Sequence, residues 1–357
     1  MNFYSLSRQE LAELLVKKYG AREFHARQLF RWVYLSGQSD FAHMSDLGRE
    51  LRRSLALDFE FALPGIARCE ISSDGTRKYL LSLPAGGQVE AVMIRQAGRM
   101  TLCISSQVGC AMGCTFCRTG LMKLKRNLAT EEIIGQVLVA KEDARRFNDS
   151  FSNIVFMGMG EPLHNYQAVV RAVSILVDEF GMRMAPRKIT VSTSGLVPAL
   201  RRFGEEKLNV SLAVSLNATT DELRSRIMPV NRKYPIAELL ETLRAFPVRK
   251  RGGITIEYVM LAGLNDTLQD ARRLVKLLHG IPAKVNLIPY NENAGLGFRS
   301  PSRDEARAFQ DALVRKGLNT TIRWSRGNDI KAACGQLAVG VAAAENKEKD
   351  APAATRS

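Results

Sequence analysis

The sequence predicts an α/β protein whose six parallel strands are closed, or nearly closed, into a barrel. Three observations support this fold class. After residue 100, six short apolar runs alternate with amphipathic helical segments; a helical pattern occupies most of the first 80 residues; and two strand-like runs lie between these parts. Strands that alternate with helices form parallel sheets with right-handed crossovers. A doubly wound open sheet is the alternative topology.

The first region, residues 1–64, is predicted to be a small helical accessory domain. In its stretch 23–34, apolar residues recur at helical spacing and basic residues alternate with aromatic ones. That pattern is compatible with contact to RNA, but a helical bundle with a basic face would show it equally. The Pro-Gly pair at 64–65 ends the helical pattern.

A β-hairpin linker is predicted next, over residues 65–100. The strand-like runs 76–83 and 88–94 are joined by Pro-Ala-Gly-Gly, a turn-forming sequence. We expect the hairpin to connect the helical region to the barrel.

The barrel is predicted over residues 101–340. Its strands are predicted at residues 101–106, 153–157, 188–193, 210–216, 254–261 and 284–289. Thr130-Glu-Glu carries acidic residues that suit a helix N-terminus, and Ser302 with Glu305 forms a capping box. Residues 341–357, rich in Lys, Glu, Ala and Pro, are predicted to be a disordered tail.

The composition is that of an ordinary globular protein with a large excess of positive charge. The 357 residues include 51 Lys and Arg against 36 Asp and Glu, and the basic residues form dispersed clusters such as 123–126 and 249–251. Such a surplus favours a polyanionic partner, most often nucleic acid. Because no apolar run approaches the roughly 20 residues that span a bilayer, and no signal peptide is evident, we expect a cytoplasmic protein with reduced thiols and no membrane partner.

Three cysteines in one short loop, Cys110, Cys114 and Cys117, form the most informative motif in the chain. Their spacing lets one turn of backbone direct three sulfurs toward one centre. A [4Fe–4S] cluster has four irons, so three thiolates would leave the fourth iron open to a ligand from outside the protein. A zinc knuckle, a disulfide and chance are the alternatives. Zinc would need a fourth ligand, and a reducing compartment disfavours disulfides.

Polar residues follow the predicted strands at their carboxyl ends, where the working residues of parallel α/β folds lie. They occur in Gly-Met-Gly-Glu-Pro at 158–162, Ser-Thr-Ser-Gly at 192–195, Ser-Leu-Asn at 215–217, and at Asn291. Each alone has an ordinary interpretation as a tight turn or a helix cap. Their convergence on one rim would suit an amino acid, a ribose and an adenine.

The run C-x3-C-x2-C is the signature of the radical S-adenosylmethionine (SAM) enzymes, which this chain resembles. The resemblance implies a partial (βα)6 TIM-like radical SAM barrel and a [4Fe–4S] cluster held by the three cysteines. It also implies that SAM binds the open iron and that one electron cleaves it to a deoxyadenosyl radical.

A closer resemblance, to the RlmN/Cfr family of RNA methyltransferases, extends over residues 21–337. It rests on the cysteine loop and on residues 102–110, 158–162, 256–261, 286–289 and 326–337. RlmN-type members methylate carbon 2 of an adenosine in the peptidyl transferase centre of 23S rRNA, and many also methylate the adenosine 3′ of the tRNA anticodon. Cfr-type members methylate carbon 8 of the same rRNA adenosine. The resemblance therefore implies a 23S rRNA methyltransferase, with carbon 2 favoured and tRNA as a further partner.

The family's mechanism assigns roles to three residues by position. Cys334 would carry a methyl group taken from a first SAM, and a second SAM would supply the radical that transfers this carbon to adenine. Cys103 would release the resulting protein–RNA adduct, leaving a Cys103–Cys334 disulfide that a thiol reductant reopens. Glu90 matches the family's proton acceptor, but it could equally be a solvent-facing strand residue. An electron donor such as flavodoxin or ferredoxin is also implied.

The SAM-binding positions of the family also have counterparts in this chain. They are Gly160, Glu161, Ser192, Ser215, Leu216, Asn217 and Asn291. Asn217 departs from the family, whose members often carry His there, although either side chain can hydrogen-bond a ribose or a carboxylate.

Two other classes of protein remain as alternatives. A radical SAM enzyme acting on a protein or a small molecule, such as a glycyl-radical activase, would need neither Cys334 nor Cys103. A zinc-containing RNA-binding protein would hold zinc and no iron.

Overall fold

One mixed sheet organises the fold. The computed structural model describes residues 1–96, 98–248 and 253–338. The strands within those ranges are β1 Gly65–Ile71, β2 Arg77–Ser82, β3 Gln88–Gln96, β4 Arg99–Cys103, β5 Gln107–Val108, β6 Arg126–Asn127, β7 Asn153–Phe156, β8 Ile189–Thr193, β9 Ser211–Ser215, β10 Ile254–Met260, β11 Ala283–Pro289 and β12 Thr320–Ile322. Ten of them form one sheet in the order β1-β2-β3-β4-β7-β8-β9-β10-β11-β12, and β5 pairs with β6.

The parallel part of this sheet confirms the predicted α/β class. β4 and the strands from β7 to β12 run parallel to one another. The six predicted strands correspond to β4 and β7–β11, and β12, at three residues, is too short to predict from periodicity. Within the described ranges the two outer strands of the parallel part, β4 and β12, do not pair with each other, and β4 pairs with β3 instead. The barrel is therefore partial rather than closed.

The predicted hairpin is present as β2 and β3, which pair in antiparallel register with Leu80 opposite Glu90. In the turn, Gly86 and Gly87 both have φ of 84°, a left-handed conformation that glycine adopts without steric cost. The structure adds β1, an exposed edge strand beside β2, where the sequence predicts only a connection. Because β3 also pairs with β4, the hairpin and the barrel share one sheet.

Helices precede the sheet and then alternate with its parallel strands. In the described residues they are α1 Arg8–Tyr19, α2 Phe24–Phe30, α3 Arg49–Asp58, α4 Arg118–Leu121, α5 Thr130–Arg146, α6 Tyr166–Val177, α7 Val197–Glu205, α8 Asp221–Ile227, α9 Ile236–Ala245, α10 Leu268–Leu277 and α11 Arg303–Val314. Both predicted helix starts are confirmed. α5 has Glu131 and Glu132 in its first turn, and the Ser302–Glu305 capping box opens α11.

The predicted helix over residues 23–34 is α2 followed by a π-helical turn at Arg31–Leu35. Phe30 and Tyr34 are buried and pack against Phe3, whereas Arg27 is exposed. Part of the alternation of aromatic and basic residues thus reflects a buried and an exposed face. Arg27, Arg31 and the aromatic Phe24 are exposed and accessible to a partner.

Two predictions concern residues outside the described ranges: the basic cluster 249–251 and the tail 341–357. In the described part of the chain, every helix is too short or too polar to cross a membrane.

Candidate active site

A cavity of about 170 Å³ lies at the carboxyl ends of the parallel strands. Its walls bring together residues that are far apart in sequence and for which the sequence predicts different roles. They include Cys110, Cys114, Cys117, Gly160, Glu161, Ser192, Ser215, Asn217, Asn291 and Cys334. A larger cavity, of about 550 Å³, opens near the first residues of β9 and β11 and is lined by other residues. The smaller cavity is the candidate active site because the reactive side chains converge there.

The three loop cysteines lie between β5 and α4, on the wall of this cavity. The Thr115 N–H donates to the Ile227 carbonyl, at 3.0 Å, and ties the loop to the end of α8; the Cys117 N–H donates to the Cys114 carbonyl, at 3.2 Å. Burial raises the pKa of Cys110 to about 12 and that of Cys114 well above the usual thiol range. Buried thiols of this kind ionise when they bind metal, so metal binding releases protons.

A single metal ion and a four-iron cluster require different arrangements of the three thiols. Within the described residues, no group of three or more His, Cys, Asp or Glu side chains is positioned to hold a single metal ion. A four-iron cluster makes a different demand, because each thiolate binds a different iron and the sulfurs need only face one cavity. The three thiols meet that demand. They fit a [4Fe–4S] cluster that leaves one iron for an external ligand.

Glu161 joins the loop after β7 to the loop after β8. Its carboxylate accepts hydrogen bonds from the N–H groups of Ser194, at 2.7 Å, and Leu163, at 3.1 Å. Burial raises its pKa, against the effect of these hydrogen bonds. The preceding Gly160 has φ of 101°, and a Cβ there would lie 2.6 Å from the Gln107 Cβ. Glycine is therefore required at position 160. The segment 192–195 forms part of the rim and does not cap α7, because the N-cap of α7 is Leu196.

Arg224, a buried arginine that sequence reasoning did not identify, holds the ends of β8 and β9. Its guanidinium donates to the carbonyl oxygens of Ser194, Ser215 and Leu216 at 2.7–3.1 Å and to Asn231 Oδ1 at 2.9 Å. Burial lowers its pKa to about 10, so it stays charged at neutral pH. Leu216, predicted to bind SAM, is itself buried and contributes its backbone to this arrangement.

We expect Arg224→Met to destabilise the fold and weaken SAM binding together. The substitution removes the Arg224 hydrogen bonds to three carbonyl groups, of which that of Leu216 also accepts the Ala218 N–H, and it should lower the free energy of unfolding by about 3 kcal/mol. Urea denaturation measures that change, and the SAM concentration for half-maximal activity reports on the rim. Arg226→Met, an exposed position on the same helix, is the control and should change neither value. Equal stability of the two variants would contradict the structural role of Arg224.

Asn217 follows β9 in a left-handed backbone conformation, with φ of 57°. Asn is enriched in that conformation, so Asn217, like the His that the resemblance leads us to expect there, suits this backbone. Its Oδ1 accepts the N–H of Val259 at 2.8 Å, and its Nδ2 lies 3.2 Å from Met228 Sδ. The side chain thus connects the rim to β10 by a hydrogen bond and also lines the cavity.

Asn291 connects the rim to the predicted methyl carrier. Its Nδ2 donates to the carbonyl of Cys334 at 3.0 Å, and Asn293 donates in the same way to Gly335 at 3.3 Å. Cys334 is half-buried and lines the same cavity as the three loop cysteines. The chain therefore positions a thiol directly beside the predicted SAM site.

Cys103 is buried at the end of β4, and together with Cys334 it lines a second cavity of only about 20 Å³. Arg323 lines both cavities. Burial raises the pKa of Cys103 to about 12, and the positive charge of Arg323 opposes that effect. The predicted carrier and resolving cysteines thus lie beside a shared cation. Sequence reasoning missed Arg323, which lies outside the predicted elements.

Glu257 is a second charged residue of the cavity that sequence reasoning missed. Burial raises its pKa, although Arg323 and Asn286 favour the ionised form. A carboxylate in the middle of the apolar run 254–261 is the signal that could have identified it.

Glu90 is only 4% exposed, so the interpretation of it as a solvent-facing residue is wrong. Its Oε2 accepts the N–H of Ala338 at 2.8 Å, and its Oε1 lies 3.7 Å from Lys78 Nζ. Burial raises its pKa, against the charge of Lys78. The residue lies outside the set that lines the cavity with Cys334. Its role as a proton acceptor stays a prediction.

Comparison with known proteins connects this geometry to a family. The model of the radical SAM superfamily matches residues 104–278, and the N-terminal domain model of ribosomal RNA large subunit methyltransferases matches residues 1–60. The dual-specificity RNA methyltransferase RlmN of Geobacter sulfurreducens is 53% identical over 93% of this chain and 90% of its own length. The chain belongs to the RlmN family of radical SAM RNA methyltransferases.

Other relatives agree with that assignment over almost the whole chain. The RlmN of Anaeromyxobacter dehalogenans is 48% identical over 98% of this chain and 95% of its own. The crystal structure of a radical SAM methyltransferase from Sphaerobacter thermophilus is 43% identical, with a TM-score of 0.86, and covers 94% of this chain and 99% of its own. The predicted family and fold class are both confirmed.

The two parts of the RlmN-family site differ in generality. The radical SAM match includes the cysteine loop and the rim residues from Gly160 to Asn217. Cys334, Asn291 and Cys103 lie outside it. Cys103 directly precedes this match, whereas Asn291 and Cys334 follow it, and the fold brings Cys334 to the same cavity as the three loop cysteines.

Proposed function

We propose that this RlmN-family protein methylates carbon 2 of an adenosine in 23S rRNA and also the adenosine 3′ of the tRNA anticodon. One observation carries the proposal: Cys334 lies on the wall of the cavity that the three loop cysteines and the rim residues share. A carrier thiol beside the SAM site is what a two-step transfer of carbon needs. Relatives described as dual-specificity RNA methyltransferases support two RNA substrates.

Cys110, Cys114 and Cys117 would hold the [4Fe–4S] cluster and leave one iron for the amino and carboxylate groups of SAM. When bound, the cluster supplies the electron that cleaves SAM to a deoxyadenosyl radical. Gly160, Glu161 and the other rim residues would shape the pocket around SAM. We infer two SAM molecules per turnover, one as methyl donor and one as radical source, and an electron donor such as flavodoxin or ferredoxin.

Cys334 would act first as a nucleophile and then as a carrier. Its thiolate takes the methyl group of SAM as a thioether. The deoxyadenosyl radical would take a hydrogen atom from that methyl group and become deoxyadenosine, and the remaining carbon radical would add to carbon 2 of adenine, which is not nucleophilic enough for polar methyl transfer. Loss of the carbon-2 proton, with Glu90 as the proposed acceptor, together with loss of one electron, which the bound cluster would accept, would then restore the aromatic ring. Glu90 Oε2 accepts the N–H of Ala338, so this carboxylate lies against the segment that carries Cys334.

Cys103 would release the product. Its thiolate attacks Sγ of Cys334, so that an S–S bond forms and the C–S bond breaks. The electron pair stays on the methylene carbon, which takes a proton and becomes the methyl group. Arg323 favours the thiolate at a site where burial otherwise disfavours it. A cytosolic thiol reductant would then reopen the disulfide.

The division of the chain follows from this function. We infer an RNA-binding accessory unit at residues 1–64, a hairpin linker at 65–100 and a catalytic barrel at 101–340. The match of residues 1–60 to the N-terminal domain of rRNA methyltransferases supports the first unit. Both proposed RNA substrates are cytoplasmic, so we infer that the protein works in the cytoplasm.

An anaerobic assay tests the proposed function. Reconstituted protein receives SAM, a reductant and either a protein-free 23S rRNA fragment or tRNA, and the nucleosides are then analysed by mass spectrometry. We expect 2-methyladenosine from both RNAs, together with deoxyadenosine. Formation of 8-methyladenosine would instead establish the Cfr-type reaction, and a colourless protein that contains zinc and no iron would overturn the proposal.

RNA affinity should fall steeply with salt. Each phosphate that the protein neutralises should lower the logarithm of the binding constant by about 0.7–0.9 per log unit of salt. Lys123 and Lys125 are exposed just after the cysteine loop, so replacing both with Gln should lower the slope by about 1.4–1.8. Fluorescence anisotropy with a labelled 23S rRNA fragment measures the slope. Arg307→Gln, on the exposed face of α11, is the control, and a flat response of the unaltered protein would contradict phosphate-led docking.

A further inference from the structure

The residues that carry Cys334 form a segment without helix or strand, residues 327–338, which we call the carrier segment. A segment of turns does not keep its position through a regular hydrogen-bond ladder. Its placement therefore depends on contacts with the elements around it. Those contacts come from two sides. One is the antiparallel part of the sheet, strands β1, β2 and β3, here called the hairpin; the other is the rim of the barrel.

On the hairpin side, a buried ion pair holds the carrier segment on both sides of Cys334. Lys78 Nζ donates to the carbonyl of Ile330 at 2.5 Å, and Glu90 Oε2 accepts the N–H of Ala338 at 2.8 Å. The side chains of Lys78 and Glu90 are 7% and 6% exposed and lie 3.7 Å apart. Ile330 and Ala338 are each four residues from Cys334, so the pair brackets the cysteine symmetrically.

Two carboxylates also connect the turn between β1 and β2 with the carrier segment, and each side supplies one of them. Asp329 of the segment accepts hydrogen bonds from the Ser72 hydroxyl, at 2.6 Å, and from the Ser73 N–H, at 3.0 Å. Asp74 of the hairpin accepts the N–H of Gly327 at 3.0 Å. Burial opposes ionisation of Asp74, but its hydrogen bonds outweigh that effect and lower its pKa to about 2. The hydrogen bonds from Ser72 and Ser73 also lower the pKa of Asp329, so both carboxylates are charged and act as acceptors near neutral pH.

On the barrel side, contacts hold residues 334–337 of the carrier segment. Besides the bond from Asn291 to the Cys334 carbonyl, Thr119 Oγ1 donates to the Leu337 carbonyl at 2.6 Å. The N–H of Arg118, next to the last loop cysteine, donates to the Gly335 carbonyl at 2.9 Å. The segment is therefore held between the hairpin and the loop that would bind the cluster.

We propose that Lys78, Asp74 and Asp329 are positioning residues that hold the carrier segment so that Cys334 faces the cavity. The inference rests on the proposed function, in which the sulfur of Cys334 or the carbon that it carries reacts in turn with a methyl donor, an adenine and Cys103. Each encounter requires reacting atoms at close to contact distance, and a displacement of about 1 Å costs up to a hundredfold in rate. The hairpin thereby serves catalysis without touching substrate.

The test separates positioning from folding and from chemistry. In RNA-containing reactions, the ratio of methylated adenosine to deoxyadenosine measures how well radical formation is coupled to transfer. We expect this ratio to fall about tenfold in Asp329→Ala and less in Asp329→Asn, which keeps one acceptor oxygen. We expect a larger fall in Lys78→Met and partial rescue in Lys78→Arg. Asp311→Ala, an exposed position on α11, is the control and should keep the wild-type ratio.

Hydrogen–deuterium exchange of residues 327–338 provides a readout that does not need activity. We expect faster exchange of this segment in Asp329→Ala, with the thermal midpoint of the whole protein unchanged. Wild-type exchange in Asp329→Ala, or a wild-type coupling ratio in that variant, overturns the proposal. Wild-type protein that methylates no RNA would defeat the proposed function instead, and the exchange measurement would still decide whether the hairpin holds the segment. Should Lys78→Met fail to fold, the Asp329 variants carry the test alone.

Discussion

Cys103→Ala should stop the reaction at a covalent protein–RNA adduct. In the structure, Cys103 and Cys334 line the same small cavity, so the thiol that would release the product faces the sulfur that would hold it. Without the Cys103 thiol, the C–S bond to the transferred carbon has no nucleophile to break it. The protein should therefore bind RNA once and turn over at background level.

A denaturing gel with labelled RNA detects the adduct as a slowly migrating species, and mass spectrometry after nuclease digestion locates it on Cys334. Cys334→Ala should form no adduct at all, because it removes the carrier. Cys69→Ala, at an exposed position on β1, is the matched control and should behave as wild type. Multiple turnovers by Cys103→Ala with free methylated RNA would show that another group releases the product.

Replacing any one of the three loop cysteines with Ala should remove the cluster and all SAM cleavage. Wild-type protein reconstituted without oxygen should hold about four irons and four sulfides per chain. Because each thiolate of the set binds its own iron, loss of one leaves two irons without protein ligands. We expect little bound iron, no broad absorbance near 400 nm and no deoxyadenosine from Cys114→Ala.

Metal analysis also distinguishes the cluster from a zinc site. Cys69→Ala again serves as the control, since it removes a thiol that lies outside the cavity. Stoichiometric zinc in wild-type protein purified without oxygen, with iron absent, would contradict the assignment of these cysteines. A Cys114→Ala variant that still produced deoxyadenosine would do so as well.

The sequence predicts the fold and the location of the site well because both depend on simple periodicities. Parallel strands and helices leave an alternating pattern, and a parallel sheet places the carboxyl ends of its strands along one edge. Hence the pattern of strands alone predicts that Cys110, Ser192, Ser215 and Asn291, which lie at or after the carboxyl ends of different strands, share one rim. The structure places all four on one cavity wall.

Other features leave no such pattern. Arg224 resembles any arginine of an amphipathic helix, and only the fold shows that its guanidinium reaches three carbonyl groups. The contact between Lys78 and Ile330 joins residues 252 positions apart. β1 is an exposed edge strand, so it lacks the apolar alternation that marks a buried strand. Long-range polar contacts and exposed edge strands therefore cannot be predicted from the periodicity of the sequence.

The burial of Cys103 also protects the enzyme between catalytic cycles. With its pKa raised to about 12, this side chain is almost entirely protonated near neutral pH, and only the thiolate reacts readily with peroxide or alkylating reagents. Oxidative damage should thus spare this position in the resting protein, and iodoacetamide should label the exposed Cys69 long before it labels Cys103.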